Sequence, residues 1–434
     1  MQTRRDFIRA GTLAGASLFV GCRQPIPEGR APVFDVPDED AATTASDEAF
    51  WQSVRASFEL DPRLTNLNHG LSPSPQHVHE ALERESRSVN RAPLDHMRDW
   101  PAEGRREEAR IVAADALGCD PEELAITRSA TESLQIAQLG IDLDPGDEVL
   151  STREDYWAMW NTWEQRAQRE GVVYREIDLG APYPSTQEVV ARFEEAITSR
   201  TRVILFSQLT WVTGHILPVK DICALARSRG VQTIVDGAHG FGHIPFRVSD
   251  LGCDYYGTSG HKWLHAPLGT GLLYVRKERI RNLWPMTPAW DEYREDIRKF
   301  EFVGSRSPAH HNAVADAVRF LRRLGVERKA ARLHYLKRRW TEKLGRNERV
   351  HIITDPTFGR SCGIASFYVQ GIDSELLVTH LRERYAILVN APEDAYSGPR
   401  AVRVTPNVFT SAREIDAFVA AMDDVLRSGL PANG

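Results

Sequence analysis

The sequence predicts an α/β protein, with a large domain on a mostly parallel sheet covered by helices on both faces and a smaller α+β C-terminal domain. Three observations predict this. Strand-like apolar runs alternate with helical periods across the middle of the chain. At 434 residues the chain can bury a large core and divide into two domains. Its 42% hydrophobic and 26% charged content is that of an ordinary globular protein.

At the amino terminus, Thr3-Arg4-Arg5-Asp6-Phe7-Ile8-Arg9 matches the twin-arginine export pattern, with the weakly apolar stretch Ala10 to Gly21 behind it. That stretch is too short to cross a bilayer core of about 30 Å as a helix. Phe19-Val-Gly-Cys22 looks like a lipoprotein cleavage site, although Phe19 stands where Leu is usual. Either Cys22 carries a lipid, or it is an unmodified residue of the discarded peptide or linker. Residues 1–22 therefore read as a signal peptide, and a periplasmic or other extracytoplasmic location is expected, with a membrane anchor only through Cys22. Residues 23–60 read as a linker and N-terminal arm, extended over Arg23 to Ala45 because of Pro25, Pro27, Pro32 and Pro37.

The large domain is expected over 61–295. Its strands are Ile126-Thr127, Glu148–Leu150, Val172–Tyr174, Val203–Phe206, Thr233–Val235 and Cys253–Thr258, with Gly271–Val275 as a further strand. Helical periods fall at Glu132–Leu139, Met159–Glu170, Gln187–Ile197 and Asp221–Arg229. Trp157, Trp160 and Trp163 share a spacing of three and read as a helix face packed on the core. The small domain, 296–434, opens with a helix-rich span from Ala313 to Lys343. The net charge of −6 and the lack of a basic stripe with interleaved aromatics exclude a nucleic-acid role. Cys119, Cys223, Cys253 and Cys362 are scattered, without CxxC or metal-ligand spacing, so no metal is expected.

The chemistry concentrates in Asp236-Gly-Ala-His239 and Ser259-Gly-His261-Lys262. Asp236 leaves the C-terminal edge of the run Thr233-Ile-Val, the edge where open α/β sheets bind ligands. Lys262 sits just beyond the next strand. A lysine in a dry pocket has a lowered pKa and attacks an aldehyde. A carboxylate under a pyridine nitrogen keeps it protonated and makes the ring an electron sink. Together these groups suit pyridoxal 5'-phosphate (PLP). Ser129-Ala130-Thr131-Glu132 opens a helix directly after a strand, where free amides form a phosphate seat. It also reads as a capping box, and the two readings are compatible.

With DGAHGFG, DYYGTSGHKWLHAP and GTGLLYV, the chain resembles the class V aminotransferase family, in its isopenicillin N epimerase-like and cysteine desulfurase-like branch, from about Leu67 to Phe418. The resemblance implies a fold-type I PLP enzyme, with Gly271–Val275 as its antiparallel strand. It implies Lys262 and Asp236 as catalytic residues, and Ala130 and Thr131 as phosphate contacts completed by Ser259 and His261. Tyr156, with Trp157 as the neighbouring alternative, matches the ring stacked on the cofactor. His239 matches the residue that reaches the cofactor's phenolic oxygen, with Thr210 or Trp211 near the same edge. Gly304-Ser305 falls where the family presents Gly-Thr to the phosphate of the neighbouring subunit, which implies a homodimer. Arg403 matches the arginine that grips the substrate carboxylate, and Asn68-His69-Gly70 the loop over the substrate. His69 is either an acid or base there or a plain loop histidine.

One departure stands out. Cysteine desulfurases carry a nucleophilic Cys about eight residues before this arginine, where this chain has Ala395, and no Cys follows Cys362. The expected function is an exported PLP-dependent enzyme acting on the amino group and Cα of an amino acid or amino-terminal peptide residue. Transamination or related chemistry is the leading expectation. Exported relatives imply maturation of siderophore peptides. Amino-acid epimerisation and a cysteine lyase or desulfurase-like activity are the alternatives, and a non-catalytic PLP-fold binding protein is a rival from another class.

Overall fold

The structure, a computed structural model, describes residues 34–98, 105–180, 183–393 and 396–430, all within one compact unit of residues 31–434. The twin-arginine pattern, Cys22 and Ala395 lie outside the described residues. The strands are β1 (Thr65–Asn66), β2 (Leu124–Thr127), β3 (Glu148–Thr152), β4 (Val173–Ile177), β5 (Thr201–Ser207) and β6 (Gln232–Asp236). They continue as β7 (Tyr255–Ser259), β8 (Gly271–Val275), β9 (Val350–Ile352), β10 (Ala365–Val369), β11 (Ile387–Leu388) and β12 (Val402–Val404). Seven form one sheet in the order β2-β8-β7-β6-β5-β3-β4, parallel except that β8 runs antiparallel to β2 and β7.

The helices of eight residues or more are α1 (Glu48–Arg55), α2 (Gln76–Arg91), α3 (Arg105–Leu117), α4 (Ala130–Gly140), α5 (Trp157–Glu170) and α6 (Thr186–Ala196). They continue as α7 (Val219–Ser228), α8 (Val314–Leu324), α9 (Val326–Leu344), α10 (Ser374–Tyr385) and α11 (Ala412–Ser428). Successive strand residues enter opposite cores, as the two-residue side-chain period requires. In β5, Ile204 and Phe206 pack with Phe193 of α6 and Ile222 of α7, while Val203 and Leu205 pack with Leu134 of α4 and Trp163 of α5. Both faces are thus covered, which is why β5 reads as an unbroken apolar run.

A second sheet, β12-β10-β9, is antiparallel and packs with α9, α10 and α11. The short parallel pair β1–β11 and a bridge between Asn68 and Thr405 stitch the segment around residue 67 to this sheet. Gly325 (φ 82°) separates α8 from α9 within the expected helix-rich span.

Two expectations need correction. The tryptophan triplet is not one buried face: Trp163 is fully buried, Trp160 is half-buried with its indole on the Thr152 carbonyl, and Trp157 is 51% exposed. Three-residue steps fall short of the 3.6-residue turn, so the positions drift around the helix. The described part of the Pro-rich arm is not a free extended linker either. Ala41–Thr44 form a helical turn capped by Asp40, and Phe34 packs edge-on against Phe50 and Phe320.

Candidate active site

A cavity of about 390 Å³ opens at the C-terminal edge of the large sheet. β5, β6 and β7 end on it with Ser207, Asp236 and Ser259, and Lys262 follows in the next turn. The start of α4 supplies Ser129, Ala130 and Thr131, and β12 supplies Arg403. Asn68, Gly70 and Leu71 close it from the N-terminal segment.

At its floor Asp236 is 5% exposed and accepts one backbone bond, from Ala238 N at 2.8 Å. Burial pushes its carboxyl up, while the Lys262 charge and the Ala238 N–H pull it down. Burial holds the Lys262 amine down to about 8, against the raising effect of Asp236 and with Arg403 adding to the depression. The two groups therefore offset each other, and Asp236 would be free to pair with a cationic ring nitrogen when Lys262 carries no charge. Lys262 Nζ lies 3.3 Å from His239 Nε2. Burial keeps His239 well below the ordinary histidine value.

The α4 amino end is shaped for an anion. Ser129 caps it by accepting from Glu132 N at 3.1 Å. Ala130 N donates to Ser259 Oγ at 3.0 Å, which leaves the Ser259 hydroxyl hydrogen for a ligand. His261 Nδ1 donates to the Thr270 carbonyl at 2.9 Å, so its proton is committed to the backbone. Its Nε2 would donate to a phosphate only in the charged ring, which burial opposes by holding the pKa at about 4.

Arg403 is 5% exposed, and burial lowers its pKa to about 10. Nη1 donates to the Trp211 carbonyl at 3.0 Å and Nη2 to Asn68 Oδ1 at 2.9 Å. Nε, although buried, has no partner among the described residues. Each Nη keeps a second hydrogen, and a buried guanidinium with two such donors beside a cavity is a ready seat for a carboxylate. Gly70 passes so close that an added Cβ would lie 3.0 Å from Nη2, which explains a glycine there.

Most of the sequence-predicted residues converge here: Lys262, Asp236, Ala130, Thr131, Tyr156, His239, Ser259, His261, Arg403 and Asn68 all line the cavity. His69 does not. It turns to a separate cavity of about 240 Å³ and sets its ring edge-on against Phe409 at 4.7 Å. Burial lowers its pKa to about 4. Asn68 pairs with Thr405 and the chain turns at His69 and Gly70, so His69 leaves the cavity that Asn68 lines. Ser305 is exposed and outside the cavity of its own chain. Of the pair Thr210 and Trp211, Trp211 lines the cavity, edge-on to Tyr156 at 5.5 Å. Thr210 is bonded to Thr213 and His215 instead.

Sequence reasoning missed Asp155. It accepts from Ser207 N and Oγ at 2.7 Å each and from Thr152 N, tying the Tyr156 loop to the end of β5. Burial raises it to about 7. The acidic pair before Tyr156 was its signal. Cys362 is buried away from the cavity with its thiol pushed up to about 12 by burial, so it offers no nucleophile.

A parallel sheet with its lysine, buried carboxylate and anion-binding helix end at one edge defines a PLP-dependent enzyme of fold type I. Residues 65–417 match the family Aminotransferase class-V, and the chain belongs to that family. It is 30% identical over 398 residues to isopenicillin N epimerase of Streptomyces clavuligerus, covering 86% of this chain and 98% of that protein. A probable cysteine desulfurase of Pseudomonas aeruginosa is 29% identical over 329 residues, covering 70% and 78%. Among solved structures, a cysteine desulfurase of Escherichia coli matches with a TM-score of 0.75 at 24% identity, covering 87% of this chain and 98% of that one. A cystine C–S lyase matches at 0.72 and 24%, covering 84% and 98%.

Proposed function

We propose that the protein removes the Cα proton of an α-amino acid, with Lys262 as the base and Arg403 as the carboxylate clamp, in a transamination or a related Cα–H reaction. The observation that carries this reading is a buried amine, its pKa brought down to about 8 by burial, in a cavity shared with a buried arginine. Lys262, Asp236 and the α4 amino end would hold PLP, which when bound supplies an electron sink for the substrate's Cα. Arg403 would fix the carboxylate through two parallel hydrogen bonds and so decide which Cα bond faces Lys262. General base help of this kind is worth about 10²–10⁴-fold. Gripping an α-carboxylate favours a free amino acid; an amino-terminal peptide residue, as in siderophore precursors, would have to bring its carboxylate on a side chain.

Epimerisation is the second reading, favoured by the likeness to two isopenicillin N epimerases at 30% and 31% identity. It would require a second proton donor opposite Lys262. Persulfide chemistry is disfavoured because Cys362 is walled off. The exposed Ser305 supports a homodimer that completes each site, and a monomer by ultracentrifugation would remove that part. The twin-arginine pattern supports export, tested by whether Arg4→Lys with Arg5→Lys strands the protein in the cytoplasm.

Borohydride treatment of the cofactor-loaded protein should leave its label on Lys262, and Lys262→Ala should lose both label and turnover while staying folded. Label on another lysine, or turnover without Lys262, would overturn the assignment. Incubation with mixed amino acids and peptides, scored by mass and chirality, separates keto product from inverted product.

A further inference from the structure

Trp263, next to the reactive lysine in the chain, is fully buried, yet its indole serves a polar purpose. Nε1 donates to His239 Nδ1 at 3.0 Å. An indole nitrogen only donates, so Nδ1 must offer a lone pair. A neutral imidazole then carries its proton on Nε2, the nitrogen 3.3 Å from Lys262 Nζ. With Nε2–H pointing at it, Lys262 satisfies the contact only by accepting, as the uncharged amine. An ammonium would set N–H against N–H.

We propose that Trp263 is a positioning residue that fixes the proton of His239 on Nε2, so that His239 donates toward Lys262 and holds its amine as a hydrogen-bond acceptor. This deepens the reading above and rests on Lys262 being the nucleophilic amine, since only the uncharged amine attacks an aldehyde.

The indole is itself held from several sides. It stacks on His243 at 3.6 Å with the planes 14° apart. His243 Nε2 accepts from Gly363 N at 2.9 Å, so its Nδ1–H donates to the His239 carbonyl at 2.8 Å. The same tautomer logic thus clamps His239 through its backbone. Lys329 donates to the Trp263 carbonyl and reaches His265 Nε2 at 2.9 Å, where the chain turns through φ 61°. Gly363 lies just ahead of β10, so the loop leading into the smaller sheet helps to set a proton in the active site.

Other groups also bear on the lysine. Asp236 at the end of β6 favours its charged form, and Arg403 on β12 opposes it. His261, in the same loop, is held neutral by burial and by its place beside Lys262. Trp263 and His239 weigh against Asp236 without adding a charge.

The test uses the full-length, cofactor-free protein with ¹⁵N-labelled histidine and lysine. In the native chain His239 should show a protonated Nε2 and an unprotonated Nδ1. Trp263→Phe keeps an aromatic ring for stacking on His243 but removes the donor. His239 should then populate the other tautomer, and the Lys262 titration midpoint should rise by about one pH unit, the tenfold that one buried hydrogen bond is worth. His239→Leu, which removes the donor to Lys262 directly, should raise the midpoint likewise and serves if the Phe variant does not fold. A protonated Nδ1 in the native protein, or a midpoint unmoved in a folded variant, overturns the proposal. Should tautomer and shift hold while borohydride leaves Lys262 unlabelled, the functional reading falls and the relay stands.

Discussion

At the residue scale, Arg403 shows how one side chain ties the two sheets to one chemistry. Each Nη donates one hydrogen, to Trp211 and to Asn68, which leaves a second hydrogen on each for a ligand. Lysine would keep the charge and lose the planar fork. Arg403→Lys should therefore lower kcat/KM for a carboxylate-bearing substrate by about 10²-fold, the worth of a buried charged hydrogen bond or two. Cofactor absorbance should be unchanged. An unaltered kcat/KM would show that the substrate carboxylate sits elsewhere. At this scale the sequence was informative wherever a motif carries a mechanical job, as with Asp236, His239 and Lys262. It left His69 open between two roles, because a motif names a loop without saying which of its side chains turns inward.

At the element scale, the anion seat depends on how closely α4 lies on β7. Gly257 in β7 makes that approach possible: a Cβ there would sit 2.7 Å from Leu134 Cγ and 3.1 Å from Ser133 Cβ. Gly257→Ala should destabilise the protein by about 1–3 kcal/mol through over-packing, seen in urea unfolding. It should also weaken PLP retention by lifting Ala130 N away from Ser259 Oγ. Normal stability and retention would show that α4 can shift freely. The strands and helices of the large sheet were legible because apolar runs and helical periods alternate there without interruption. The two-residue strands β1 and β11 were not legible, since their pairing partners lie more than 300 residues apart and leave no local pattern.

For the whole molecule, buried histidines govern the response to acid. Burial holds His69 and His261 down to about 4 and His215 and His243 to about 3, while unfolding returns each to the usual 6.5. Between those values the unfolded chain takes up protons that the native chain refuses, so their contribution to stability is lost as pH falls below 6.5. Glu154 and Asp155, raised by burial to about 8 and about 7, act the other way, because there the native chain holds the extra proton. With His239, His265 and His311 also held well below the usual value, the histidines outweigh the raised carboxyls, Asp236 and Glu301 included. The melting temperature should therefore fall as pH drops from 6.5 to 4.5, and a flat or rising profile by calorimetry would contradict this balance.

The stitching of Thr65–Asn68 onto the smaller sheet also has a consequence for synthesis. The seven-stranded layer is complete in sequence by Val275, yet Arg403 and the strand that carries it emerge from the ribosome far later. A nascent chain can lay down its cofactor floor while its roof is still unmade, with the stretch around Leu67 waiting for a tail to clasp. Ribosome-bound fragments ending before about residue 410 would thus hold half a catalyst.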